Sequence, residues 1–284
     1  MLTRQRRPAA AVGHMTVDDG PLPSASPAAK PKVFTIRNLT KVFGDEQPYL
    51  ALDGIDLTIR SGEFLCLLGA SGCGKSTLLN LLAGFEKPTS GELLYRGREI
   101  AGPSKERVVF FQDAGAALLP WQTVQQNVEF GLRLQGLLFS ERHQRAEECL
   151  ELVGLAEHRH KMPSEISGGM RQRLQIARAL AVDPDVFLMD EPFGALDAIS
   201  RRRMHGALLD IWQRTQRTIV FVTHDILEAL VLADRIAVMS AGPGSRIAHL
   251  AAIGLDRPRQ PGDPRLGRHF EALEQFLHTT APSA

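Results

Sequence analysis

The sequence predicts an α/β fold, a three-layer domain built on a largely parallel sheet. Two observations predict it. Short apolar runs of strand length alternate with segments of helical texture between Val33 and Met239. One such run, Glu63-Phe-Leu-Cys-Leu-Leu68, passes through Gly69-Ala-Ser-Gly-Cys-Gly-Lys-Ser-Thr77 into Leu78-Leu-Asn-Leu-Leu-Ala83, which reads as helix. Strand, glycine-rich turn and helix are the setting in which Gly-x-x-x-x-Gly-Lys-Ser/Thr binds a nucleotide phosphate.

Taken in order, residues 1 to about 31 are rich in Ala, Pro and Ser, with Arg4, Arg6 and Arg7 near the start. Such a segment buries too little apolar surface to offset its ordering entropy and is expected to be disordered. Val33-Phe-Thr-Ile36 and Ala51-Leu-Asp-Gly-Ile-Asp-Leu-Thr-Ile59 alternate in the β manner, and Ser61-Gly62 punctuates before the strand that feeds the phosphate loop. Glu92-Leu-Leu-Tyr95 and Val108-Val-Phe-Phe111 are further strands. From Asp113 to about Glu165 the texture is helical, with Val124, Val128 and Leu132 at four-residue spacing. A new helix opens at Ser167. Asp185 to Met189, Thr218 to Val222 and Arg235 to Met239 are short apolar runs that read as buried strands. A Pro- and Gly-rich stretch, Arg257 to Gly267, leads into a last amphipathic helix with Phe270, Leu273 and Leu277 on one side.

Composition narrows the class. The 284 residues suffice for one large domain or two small ones, and the formal net charge of +1 gives no sign of a polyanion-binding surface. Three cysteines, an odd number, argue for a reducing compartment. No apolar run approaches the 18 or so residues of a membrane span, and the N-terminal arginines precede no apolar core of a signal peptide. The expectation is a cytosolic protein that meets a membrane only through a partner.

The chemistry gathers at a few places. Glycines let the backbone of the loop curl until several N–H groups face one anion, and the helix N-terminus adds roughly half a positive charge. Gly69, Ala70, Ser71, Gly72, Cys73, Gly74, Lys75, Ser76 and Thr77 form that cradle. Lys75 is expected to reach the β- and γ-phosphates and the Ser76 hydroxyl to be a Mg²⁺ ligand. Asp190, at the end of a buried strand, can hold Mg²⁺ opposite Ser76, and Glu191 can polarise a water for in-line attack. The other reading of Asp190-Glu-Pro192 is an ordinary turn with capping acids. Ser167-Gly-Gly-Met-Arg-Gln-Arg173 opens a helix with a Ser cap and two glycines, a second anion-binding helix end in a chain that needs one. Gln112 and His224 each follow a strand, where side chains reach the ligand edge of a parallel sheet; a structural role is the alternative for both. Cys73, beside a helix N-terminus, is expected to have a depressed pKa and to be alkylated unless MgATP protects it. His158-Arg-His160 has metal-ligand spacing without companions and reads as a surface loop, and Arg201-Arg-Arg203 reads as a solvated face or interface rim.

With these motifs in order, the chain resembles the nucleotide-binding subunit of an ATP-binding-cassette (ABC) transporter from about Val33 to about Leu255. The match comprises the phosphate loop, the Q-loop at Gln112, the signature at Ser167–Gln172, Asp190–Glu191, the D-loop Gly194-Ala-Leu-Asp197 and the H-loop at His224. The resemblance implies a P-loop NTPase (RecA-like) core with an antiparallel β subdomain and an inserted helical subdomain at about 113–180. The domain division is then a tail over 1–31, an ABC ATPase domain over 32–256 and a C-terminal linker with a short helix over 257–284. It also implies ATP and Mg²⁺ as ligands and a homodimer in which each ATP lies between one copy's phosphate loop and the other's signature helix. Ser167, Gly168 and Gly169 would contact the γ-phosphate held by the partner copy, with Asp197 reaching across the dimer. Gln112 would sense Mg²⁺ and the attacking water, and His224 would hold the γ-phosphate. Phe43 occupies the position of the aromatic that stacks on adenine, its other reading being a core aromatic. The usual signature is Leu-Ser-Gly-Gly-Gln; here Met170 replaces the Gln.

Leu118-Leu-Pro-Trp121, the Ser-Gly-Gly-Met-Arg-Gln-Arg signature and Asp190-Glu-Pro-Phe-Gly-Ala-Leu-Asp197 are similar to importers of nitrate, alkanesulfonates and taurine. Partners implied are two membrane-spanning permease subunits and, indirectly, a solute-binding protein, with the chain peripheral on the cytoplasmic face of the membrane. Trp121 either packs in the core or lines the groove that receives a permease helix. The rival class is a non-transport ABC ATPase acting on nucleic acid or the ribosome. The near-neutral charge, the single cassette and the lack of sustained heptads speak against it. An unrelated P-loop kinase or GTPase leaves the signature helix unexplained.

Overall fold

The computed structural model describes residues 30–110, 118–194 and 196–279. Of the N-terminal tail only Lys30 and Pro31 fall among them, and Gln112 lies outside them.

Strands β1 (Lys32–Phe43) and β2 (Tyr49–Arg60) form an antiparallel hairpin, and β3 (Phe64–Leu68) runs into the phosphate loop. Helix α1 (Lys75–Ala83) follows, then β4 (Ser90–Tyr95), β5 (Arg98–Glu99) and β6 (Arg107–Phe110). A helical insertion comes next, α2 (Val124–Leu134), α3 (Phe139–Leu152) and α4 (Gly168–Ala181). The chain then alternates through β7 (Val186–Asp190), α5 (Ala198–Thr215), β8 (Thr218–Thr223), α6 (Ile226–Leu232) and β9 (Arg235–Met239). It closes with β10 (Ile247–Ala252) and α7 (Pro264–Thr279).

The principal sheet has the order β10-β9-β3-β8-β7-β6, parallel except for β10 at one edge. Parallel strands are covered on both faces, so they read as unbroken apolar runs. Phe64-Leu-Cys-Leu-Leu68 and Thr218-Ile-Val-Phe-Val-Thr223 are buried at every position. Their side chains still alternate between two cores. Phe64, Cys66, Leu68, Phe187, Met189, Ile219 and Phe221 join the cluster formed with α2 to α7. Leu65, Leu67, Val186, Leu188, Val220 and Val222 join the one formed with α1 and the small antiparallel sheet, order β2-β1-β4-β5. Helix α1 is therefore packed between two sheets, and its N-terminus is fixed at the C-terminal edge of the parallel one. The expected α/β class, with a P-loop core, an antiparallel sheet and a helical insertion, is the one observed.

Two expectations change. The stretch from Arg257 is no loose linker. Arg259 is buried and donates to the carbonyl oxygens of Leu230, Ala233, Ile253 and Leu255. Burial and the neighbouring Arg257 push its pKa down to about 10. Arg257 stacks on Trp212 at 4.5 Å and pairs with Asp234 at 2.6 Å. A guanidinium carries five donors in a fixed fork, which suits it to the unpaired carbonyls near a helix end. The last helix also begins earlier, at Pro264, a residue whose missing N–H costs nothing in a first turn.

Candidate nucleotide site

The loop after β3 turns on glycines with positive φ, Gly72 at 77° and Gly74 at 94°. A Cβ on Gly74 would stand 2.8 Å from Leu52 Cδ2 and 3.3 Å from the Ala51 carbonyl oxygen, so the position excludes other residues on conformation and on space. Gly74 caps α1 with no side-chain hydrogen bond, and the first turn holds no acid. The leading N–H groups are thus left for an external anion. Lys75 is buried, and its Nζ donates to the carbonyl oxygens of Gly69 and Ala70, both at 2.8 Å. An ammonium has three donors, so the loop holds the charge in place and leaves one for a ligand. Ala70, Ser71, Gly72 and Ser76 are exposed along the cradle, and Thr77 is half-buried.

Cys73 departs from expectation. It is 1% exposed, and burial pushes its thiol pKa up more strongly than Lys75 pulls it down. The helix N-terminus does not prevail because the sulfur faces the core, where a Cβ on Gly69 would lie 2.7 Å from Sγ. Cys66 and Cys149 are buried too, and burial raises both thiols. A thiol reagent is therefore expected to label the folded protein slowly with or without nucleotide, and all three cysteines rapidly once it is unfolded. Fast labelling of Cys73 in the native protein would contradict this burial.

At the neighbouring strand ends, Glu191 leaves β7 with φ 43°, a left-handed conformation that non-glycine residues adopt at a cost of about 1 kcal/mol. Its N–H donates to the Val222 carbonyl at 3.2 Å, which binds the turn to β8. His224 follows that strand, and its Nδ1 lies 3.1 Å from Glu191 Oε2. The His224 side chain is 60% exposed and that of Glu191 24%, so the pair faces solvent. Asp190 and Ser76 both lie at the C-terminal edge of this sheet, and α1 packs against β7. A carboxylate and a hydroxyl are hard oxygen donors and fit Mg²⁺, which takes its remaining ligands from phosphate and water. Among the described residues no group of three or more His, Cys, Asp or Glu could hold a metal, and His158-Arg-His160 is a surface turn in which Arg159 Nε contacts His160 Nε2 at 3.2 Å.

The signature helix α4 starts as the sequence indicates, with Ser167 Oγ accepting from the Met170 N–H at 3.3 Å. Ser167 and Gly168 are exposed, Gly169 has open space beside it, and Met170 packs against the core. Asp197 is exposed and caps α5, accepting from the Ile199 and Ser200 N–H groups at 3.0 Å. A hydrogen bond from the Ser200 side chain first, and then those from the Ser200 and Ile199 N–H groups, hold its carboxyl below the usual range. Phe43 is half-buried against the antiparallel sheet, with Lys41 Nζ 4.6 Å over its ring. Trp121 is 71% exposed, which excludes core packing.

The structure adds contacts that the sequence did not indicate. Gln172 Nε2 donates to the Pro192 carbonyl at 2.9 Å, tying the signature helix to the turn after Glu191. Arg201, one of the expected surface arginines, donates to the Leu196 carbonyl at 3.0 Å and reaches those of Phe193 and Gly194. Neither contact has a signature in the local pattern.

A phosphate cradle at one strand end and a carboxylate–imidazole pair at the next define a P-loop nucleotide-hydrolysing cassette. A family profile described as ABC transporter matches residues 52–194. The chain belongs to the ABC transporter family and is an ATPase of that family. It is 46% identical over 238 residues to the nitrate import ATP-binding protein NrtD of Synechococcus elongatus, covering 81% of this chain and 86% of the relative. It is 43% identical to the bicarbonate transport ATP-binding protein CmpD of the same species, covering 84% and 86%. Among solved structures, a dimeric post-hydrolysis state of the ATP-binding cassette MJ0796 bound to ADP and Pi is similar with a TM-score of 0.66 and 31% identity, covering 78% of this chain and 100% of that one.

Proposed function

We propose that this chain is the ATP-hydrolysing subunit of an importer that takes up a small oxyanion of the nitrate type through a separate permease. The observation that carries the reading is the 46% identity to a nitrate import ATP-binding protein over 86% of that protein. The bicarbonate relative supports an oxyanion cargo in general. Among the described residues no helix is long and apolar enough to cross a membrane, which suits a peripheral subunit on the cytoplasmic face of a permease dimer. Exposed Trp121 would meet the permease there, and a solute-binding protein would act at a distance.

In this reading two copies close over two ATP molecules. Lys75 and the N–H groups of residues 69–77 hold the β- and γ-phosphates, and Phe43 stacks on the base. Ser76, Asp190 and Gln112 would hold Mg²⁺, which neutralises phosphate charge. Glu191 takes a proton from the attacking water as its oxygen bonds to the γ-phosphorus and the bond to ADP breaks. His224 keeps Glu191 oriented and contacts the γ-phosphate. Ser167, Gly168 and Gly169 of one copy meet the γ-phosphate bound by the other, with Asp197 at the crossing. Losing that phosphate weakens the contact between copies, and chemistry becomes movement through changed affinity.

The test is purification from membranes followed by reconstitution. The chain should co-purify with a polytopic membrane protein, and ATP turnover of the assembly in proteoliposomes with its solute-binding protein should rise on adding nitrate. Stimulation by taurine or an alkanesulfonate alone would keep the importer and change its cargo. Co-purification with ribosomes instead would end the reading.

A further inference from the structure

Helix α5 starts at the Asp197 turn, and two of its residues, one helical turn apart, engage both turns of the hydrolytic pair. Arg201 donates into the turn after Glu191, through the carbonyls of Phe193, Gly194 and Leu196. Its Nη1 also lies 4.0 Å from Asp225 Oδ2, in the turn after His224. His205 Nε2 lies 2.6 Å from Glu228 Oε1, and its ring stands 5.7 Å from that of Phe193. The second Glu228 oxygen accepts from the Thr223 hydroxyl, which in turn accepts the Asp225 N–H at 3.0 Å. Thr223 and Asp225 flank His224, and Glu228 and Thr223 are buried.

Asp225 caps α6 and Glu228 stands at its third position, a spacing in which the acid ordinarily turns back to the cap's own N–H. Here the Thr223 hydroxyl takes that N–H, and Glu228 is turned inward to His205. A carboxylate in this setting needs its donors, because a buried charge without them is costly. The diversion therefore makes the His224 turn depend on α5.

We propose that His205 is a positioning residue for ATP hydrolysis. Through Glu228 and Thr223 it fixes the turn that presents His224 to Glu191. Because α5 begins at Asp197, a shift of that end reaches the Glu191–His224 pair along a chain of hydrogen bonds. This rests on the reading of Glu191 and His224 given above.

The test is steady-state ATP turnover by the full chain carrying His205→Ala, His205→Gln, His224→Ala and the His205→Ala/His224→Ala pair, at a temperature where all are folded. His205→Ala is expected to lower kcat about tenfold and to leave KM for ATP within about twofold, the pattern of a lost transition-state arrangement. His205→Gln keeps an N–H donor for Glu228 and should recover most of that loss. In the His224→Ala background, His205→Ala should add less than about twofold, since both act through one group. If the Ala variant does not fold, His205→Asn, too short to reach Glu228, takes its place. Equal losses in both backgrounds, or a loss that falls on KM, would overturn the relay while leaving the site reading intact. A His224→Ala protein with unchanged turnover would remove the site reading itself, and the relay with it.

Discussion

Glu191→Gln is expected to lower ATP turnover by about 10²–10⁴, the usual contribution of a positioned general base, while ATP still binds. The substitution keeps size and shape, so the contact with His224 and the left-handed turn both survive. What it removes is the capacity to accept a proton from water. The phosphate loop is untouched, because Lys75 is held by backbone carbonyls and not by an acid. ATP bound and not hydrolysed keeps two copies together, so the variant should elute as a dimer in MgATP where the parent protein returns to monomer. Nucleotide affinity, turnover and size-exclusion behaviour read this directly. Turnover near that of the parent would remove Glu191 as the base.

Much of this site could be read from the chain because its parts are local. Gly69–Thr77 carries its own instructions: a buried strand before it, glycines at the turns, a helix after it. Ser167 announces its cap by being a Ser before two glycines. Residues that act by touching something distant were not legible. His205 looks like any polar residue on a helix until α6 is packed against it, and Arg257 and Arg259 look like linker charges until the carbonyls at the end of α6 find them. The shift at Cys73 had the wrong expected sign for the same reason. Proximity to a helix end is visible in sequence, but burial against Gly69 is a tertiary fact. Strand β10, Ile247-Ala-His-Leu-Ala-Ala252, escaped notice because an edge strand with mixed exposure has no clean alternation.

The other large effect concerns which copy supplies which part. Among the described residues, α1 at Gly74 and α4 at Ser167 both present helix ends to an anion, and in the proposed reading each chain holds one triphosphate in its own loop. A two-fold pair satisfies both ends, because a symmetric interface repeats each contact and makes two equal composite sites. Mixed dimers separate this from self-contained sites. With Ser167→Arg and Glu191→Gln in the same chain beside an unaltered partner, each composite site loses one part and turnover should fall to background. With the two substitutions in opposite chains, one site carries both lesions and the other is whole, so turnover should approach about half the parent value. Self-contained sites predict the reverse, since the same-chain arrangement would leave one copy intact. Purifying each combination through two affinity tags and comparing turnover decides the matter. Greater activity in the same-chain arrangement would show that Ser167 serves its own copy's phosphate.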